Sequence, residues 1–170
     1  TPEICREFYQ AGVDVVTTGN HAWDRREILD YIGRDERLLR PLNYPEGAPG
    51  LGANVYSANG GRRVLVLQVM GRLFMDPLDD PFAAAERALL NHRLGNSVDC
   101  IVADIHAEAT SEKMALGHVL DGRVSLVVGD HNLQGKIAWA AGDRFAVQFD
   151  AALAHDDKDL AAARSQSALA

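Results

Sequence analysis

The sequence predicts an α/β domain, and three observations carry that reading. Short apolar runs rich in Val and Ile alternate with segments of helical period. Three of those runs lead directly into polar loops that each hold a histidine, His21, His106 and His131. In α/β proteins the loops at the carboxyl ends of strands converge, so chemistry-bearing residues far apart in sequence meet there. Finally, 170 residues with 47% hydrophobic and 24% charged content suit one ordinary domain over residues 1–170, large enough to bury a core without staples.

The elements follow in order. Thr1-Pro2-Glu3 is a helix start, with a capping hydroxyl, a proline tolerated in the first turn and an acid near the helix dipole, and Ile4, Phe8 and Ala11 keep helical spacing as far as Gly12. Val13, Val15 and Val16 predict a short strand into Gly19-Asn20-His21, and residues 25–32 resume a helical period. Residues 40–52 carry Pro41, Pro45, Pro49, Gly47, Gly50 and Gly52, which predicts a long irregular loop able to cover a site. Residues 54–57 and 63–70 flank Ala58-Asn59-Gly60-Gly61, a composition for a tight hairpin because Asn and Gly accept positive φ. Asp80-Pro81 opens a helix closed by Gly95, and residues 98–105 form a buried strand. Thr110 or Ser111 is expected to cap the next helix, to about Leu120, before a strand over 124–128. Beyond Asn132, residues 137–140 and 144–149 predict a strand pair around Gly142-Asp143, and an Ala-rich tail begins near Leu153.

A formal charge of -7 opposes sequence-independent binding to duplex DNA, which needs a clustered excess of Lys and Arg. The longest uncharged apolar stretch, residues 64–70, is too short to cross a bilayer and already contains Gln68, and a cytoplasmic location is expected. Cys5 and Cys100 read as small buried apolar side chains with no disulfide between them.

The chemistry concentrates in the three histidine loops. Asn20 and His21 are adjacent, so their side chains diverge, and one can hold a metal through its amide oxygen while the other faces substrate as a proton donor. Taken alone, Gly-Asn-His is only a turn tripeptide. His106 shares a strand face with Cys100, Val102 and Asp104, so Asp104 is placed to orient the imidazole or to lie beneath the site. A satisfied buried histidine is the plain alternative there. His131 follows Val-Val-Gly, and Asp130 beside it is a further oxygen donor. Arg72 is a candidate anion contact, or simply a surface charge. His92 and His118 on helices and His155 in the tail have ordinary solvated or packed roles.

The segments at 17–24, 38–49, 71–81, 104–113 and 120–129 resemble the YmdB-like branch of calcineurin-type metallophosphoesterases. The resemblance spans about residues 1–129. Gly19-Asn20-His21 is similar to the GNH motif of that family, and His106-Ala107-Glu108-Ala109-Thr110-Ser111-Glu112-Lys113 is a longer and more specific signature. It implies a four-layer α/β sandwich, two metals (iron or manganese, with zinc also possible), and hydrolysis of phosphodiesters including cyclic nucleotides. By residue it implies Asn20, His106 and His131 as ligands of one metal and His21 as the catalytic histidine; the nearby carboxylates Asp130 and Asp104 are the oxygen donors available to substitute.

Three departures from the family pattern set further expectations. The family's Gly-Asp and Gly-Glu-Asn metal segments are not in this sequence, and Leu133 stands where the family has a second late histidine. The sandwich is therefore expected to be incomplete at its amino terminus, with 1–132 family-like and 133–170 a divergent tail. At most one metal is expected, held by two imidazoles and one amide without a carboxylate. An unpaired sheet edge would favour a homo-oligomer. The expected function is that of a metal-dependent phosphodiesterase with weakened activity. Two rivals are a truncated, non-catalytic interaction domain and a nucleotide or RNA binder without turnover, the latter drawing on Arg72 and the 40–52 loop.

Overall fold

The computed structural model describes residues 1–129, 135–141 and 144–149, and the chain divides into two compact units, Thr1–Asp130 and His131–Ala170.

In the first unit, helix α1 (Pro2–Gln10) starts as expected, with Thr1 Oγ1 accepting from Ile4 N at 3.3 Å. Strand β1 is shorter than the valine run suggested: only Val16–Thr17 pairs, in parallel with β2 (Leu38–Leu39). Between them lie a 3-10 turn over Gly19–His21 and helix α2 (Glu27–Ile32). The β2 pairing was not foreseen, because two residues carry no readable period. The predicted hairpin forms β3 (Ala53–Ala58) and β4 (Arg62–Met70), antiparallel, with Gly60 and Gly61 at φ 74° and 73° in the turn. Helix α3 (Pro81–Asn91) is capped by Asp80, whose Oδ1 accepts from Phe82 N and Ala83 N at 2.9 and 3.3 Å. It ends four residues before Gly95. Strand β5 (Cys100–His106) is followed by α4 (Thr110–Leu120) and β6 (Leu126–Gly129). The expected hydroxyl cap of α4 is corrected: Ala109 occupies the cap position, no side chain caps the helix, and Thr110 is already its first residue.

The main sheet has the order β3-β4-β5-β6, antiparallel at β3 and parallel elsewhere. Leu65, Leu67 and Val69 of β4 stand opposite Ile101, Ala103 and Ile105 of β5 on one face, and Ala85 and Leu89 of α3 with Leu116 and Leu120 of α4 join them in one core. Truncating a side chain such as Leu67, which is fully buried, costs about 2–5 kcal/mol in cores of this kind. A second cluster gathers Cys5, Ile28, Ile32 and Leu38 under α1 and α2. Both cysteines are buried and free. The other face of β4 and β5 carries Gln68, Asp104 and His106, and the cross-strand register sets Gln68 opposite Asp104 and Met70 opposite His106. The polar positions are thus delivered to the carboxyl end of the sheet.

In the second unit, β7 (Gly135–Ala141) and β8 (Arg144–Phe149) form an antiparallel pair with a bulge between Ile137 and Trp139, the strand pair expected from the sequence. Asp130, His131, Leu133 and the tail after Phe149 lie outside the described residues. Among the described residues no helix is long and apolar enough to cross a membrane.

Candidate active site

Three chain segments build the site: the 3-10 turn after β1, the end of β4 and the end of β5. Gly19 opens the turn at φ +66°, a conformation that side chains with a Cβ resist. It also has no room for one, since a Cβ would lie 2.9 Å from Cε1 and Nδ1 of His106. The glycine therefore lets the turn close on the imidazole. Asn20 follows, and its Oδ1 lies 2.9 Å from Nε2 of His106, 86 positions away in sequence. Asn20 is exposed and His106 half-buried, so the pair is open to solvent.

His21 sits beside Asn20 but turns outward, its Nδ1 2.9 Å from Asp24 Oδ2, with the two side chains 73% and 61% exposed. An imidazole whose Nδ1–H donates to Asp24 leaves Nε2 directed to other partners. Ala22 is buried, and Trp23 meets Tyr44 edge-on with ring centroids 5.5 Å apart, which ties the turn to the 40–52 loop. Burial pushes the Tyr44 phenol upward, so that ring remains a neutral wall.

Beneath the turn lies Gln68, a buried amide in the otherwise apolar run of residues 64–70. Its Oε1 accepts from Thr18 N and Gly19 N, both at 3.2 Å, and its Nε2 donates to Asp104 Oδ2 at 2.8 Å. Asp104 therefore reaches the site through Gln68 and the turn that Gln68 holds. A buried amide is tolerated only when its polar atoms are engaged, and here both ends are. Gln68 was visible in the sequence as the one polar interruption of an apolar run; its role was not, because its partners come from a separate segment.

Two further residues escaped the sequence reading. The buried Glu112 carboxylate accepts from Arg72 N, with both oxygens at 2.9 Å, and from Leu73 N at 3.2 Å. It fits only because Gly71 has no side chain: a Cβ there would stand 2.2 Å from Glu112 Oε2. Gly71 N in turn donates to the carbonyl of His106 at 2.8 Å, so the Glu112 contact and the His106 backbone are linked. Asn43, also buried, donates to the Met70 and Asp79 carbonyls at 2.7 and 2.9 Å and accepts from Met70 N at 2.9 Å. Arg72 is exposed and lines a neighbouring cavity of about 410 Å³.

Of the candidate residues, Asn20, His106 and His21 come together at one edge, with Asp104 a layer below and Arg72 one residue past Gly71. His131 and Asp130 are outside the described residues. Among the described residues no three His, Cys, Asp or Glu side chains group as metal ligands. The chemistry of the pair nevertheless fits one edge of a coordination sphere. Two cis ligands at about 2.1 Å from an octahedral ion are about 3.0 Å apart, and Asn20 Oδ1 and His106 Nε2 are separated by 2.9 Å. An amide oxygen and a neutral imidazole suit a borderline divalent ion.

A family model described as YmdB-like protein matches residues 1–134. A 2',3'-cyclic-nucleotide 2'-phosphodiesterase of Bacillus subtilis (strain 168) is 46% identical over 131 residues, which cover 77% of this chain and 48% of that protein. A crystal structure of a hypothetical protein from Thermus thermophilus superposes with a TM-score of 0.70 at 47% identity, over 81% of this chain and 52% of that one. The crystal structure of a novel phosphatase from Mycoplasma pneumoniae gives a TM-score of 0.68 at 25% identity, over 86% and 53%. The chain spans about half the length of the curated relatives it matches.

Proposed function

Because the chain belongs to the YmdB-like family and has a mixed α/β calcineurin-like fold, we propose that it carries part of the active site of a metal-dependent phosphodiesterase acting on cyclic nucleotides. The observation that supports this reading most is the 2.9 Å approach of Asn20 Oδ1 to His106 Nε2 across two strand ends, with His21 beside it.

In this reading Asn20 and His106 hold a divalent ion, manganese or iron before zinc, with His131 and Asp130 as the further donors to test. The ion supplies positive charge against the phosphoryl oxygens. As a water oxygen attacks phosphorus and the P–O bond to the leaving sugar oxygen breaks, protonated His21 would give its Nε2 proton to that oxygen and the water's proton would pass to solvent, while Asp24 accepts from Nδ1 and keeps the ring aimed. Gln68 and Asp104 fix the backbone of the turn, so that Asn20 and His21 need not be ordered at the moment of reaction.

Hydrolysis of 2',3'-cyclic AMP with added manganese tests the proposal. The expected result is turnover that falls about 10²- to 10⁴-fold in His21→Ala, the usual contribution of a positioned proton donor. Equal rates in parent and His21→Ala would remove His21 from the mechanism. No turnover in either, under conditions where manganese binds, would favour the non-catalytic reading of this chain.

A further inference from the structure

The cavity beyond Gly71 has no part in the chemistry above. It has a volume of about 410 Å³, within the range of small-molecule sites, and its walls include Arg72, Leu73, Pro77, Phe82 and Glu112. Both of its acidic side chains point their oxygens at backbone donors: Glu112 at Arg72 N and Leu73 N, and Asp80 at Phe82 N and Ala83 N. Among the described residues Arg72 forms no ion pair, so the cavity presents a guanidinium that no side chain engages, beside apolar and aromatic surface and the two backbone-held carboxylates.

Its walls are also preformed. Glu112 pins residues 72 and 73, and Asn43 bridges the Met70 and Asp79 carbonyls at the two ends of the loop. Gly71 N bonds the His106 carbonyl, and Arg72 follows one residue, about 3.8 Å of backbone, later. Arg72 is therefore one residue along the chain from the Gly71–His106 backbone contact.

We propose that this cavity is a subsite for the base of a nucleotide: the heteroaromatic ring lies against Phe82 and Leu73, and Arg72 meets the phosphate charge where the nucleotide passes towards His106. This deepens the phosphodiesterase reading and rests on it for the identity of the ligand. A planar base is favoured over a peptide or a lipid because the site pairs one aromatic wall and one planar cation with a cavity of small-molecule size.

Binding, measured apart from turnover, tests the subsite. Calorimetric titration of the full chain with adenosine 3'-phosphate and with glycerol 3-phosphate should give the nucleotide an advantage of about tenfold, the order expected for one base on an aromatic ring. Phe82→Leu keeps apolar volume but removes the ring, and should abolish most of that advantage; Arg72→Gln should weaken both ligands alike. An NMR cross-relaxation contact between adenine protons and the Phe82 ring in the parent gives the same answer without any variant. Equal affinity for the two ligands, an advantage that survives in Phe82→Leu, or bound nucleotide without that contact would overturn the proposal. Nucleotide binding with this base preference but no manganese-dependent hydrolysis would overturn the phosphodiesterase reading alone. Hydrolysis without base preference would overturn the subsite alone.

Discussion

Gly19 packs against the ring of His106 so closely that a methyl group on its α-carbon would lie 2.9 Å from two ring atoms. Gly19→Ala therefore meets two penalties, the positive φ of +66° and the clash with the imidazole. The first alone costs roughly 1–2 kcal/mol. The variant is expected to unfold at lower temperature and to lose the Asn20–His106 approach, seen as weakened manganese binding by calorimetry. Manganese affinity equal to the parent's would show that the turn can retreat without disturbing the pair.

Gln68→Leu keeps volume and removes polarity. Gly19 N then loses its acceptor, Thr18 N keeps only the Leu39 carbonyl at 3.1 Å, and the Asp104 carboxylate loses one donor; an unsatisfied buried group costs about 1–3 kcal/mol. A fall in chemical stability of that size is expected, together with faster hydrogen exchange at the Thr18 and Gly19 amides. Unchanged exchange at those two amides would mean that Gln68 does not hold the turn.

How far the sequence disclosed this arrangement depended on the range of the interactions. The β3–β4 hairpin was legible because Asn59-Gly60-Gly61 carries its own turn chemistry, and α3 because Asp80-Pro81 carries its own cap. The helix after His106 was legible but its cap was not: Thr110 and Ser111 are the residues a cap prefers, yet the chain leaves the strand through Ala109. β2 escaped because its two residues have no period, and its pairing is set by β1 more than 20 positions earlier. Asn20, His21 and His106 were singled out from type and placement after apolar runs, and the structure brings Asn20 and His106 to within 2.9 Å. Gln68, Asn43 and Glu112 were not assigned roles, because each bonds backbone groups 27 to 50 residues away and no local pattern announces such a partner.

Metal affinity separates donors from neighbours. Asn20→Ala removes one side of the Asn20–His106 edge and is expected to weaken manganese binding at least tenfold, whereas Asn20→Asp places a charged oxygen in the same position and should tighten it. Titration calorimetry on chelator-treated protein reads both. Manganese affinity in Asn20→Asp no higher than in Asn20→Ala would place the ion elsewhere.

Alkaline stability follows from the tyrosines around Asp35. The Tyr9 hydroxyl donates to Asp35 Oδ2 at 2.8 Å, and Arg37 lies 3.8 Å from the centre of its ring. Burial first, then the Asp35 hydrogen bond and charge, pushes the Tyr9 phenol well above its usual range, and the same causes push Tyr31 up to about 12. The folded state thus holds these protons after the unfolded chain has begun to release its own near pH 10. Their stabilisation is complete below pH 10 and declines as pH rises from there to beyond 12, because the unfolded state then binds fewer protons. Tyr9→Phe should lower stability at pH 7 by about 0.5–1.5 kcal/mol through the lost hydrogen bond, yet flatten the decline above pH 10. An equally steep alkaline decline in Tyr9→Phe, followed by urea unfolding at several pH values, would exclude Tyr9 as its source.

The contact between His21 and Asp24 separates function from stability. Both side chains are largely in water, 73% and 61% exposed, so the pair adds little to folding, as exposed ion pairs generally do. Its value in the proposed mechanism is geometric: Asp24 accepts from Nδ1, and Nε2 is left to serve the leaving oxygen. Asp24→Asn keeps size and a weaker acceptor, and is expected to leave the melting temperature unchanged while lowering kcat on a cyclic nucleotide roughly tenfold. His21→Ala should be deeper in kcat and equally silent in melting, and the double variant should be no slower than His21→Ala, since Asp24 acts only through the ring it orients. If the losses instead multiply, Asp24 has a role apart from His21, and the division of labour in this turn would have to be redrawn with the carboxylate in direct contact with substrate or ion.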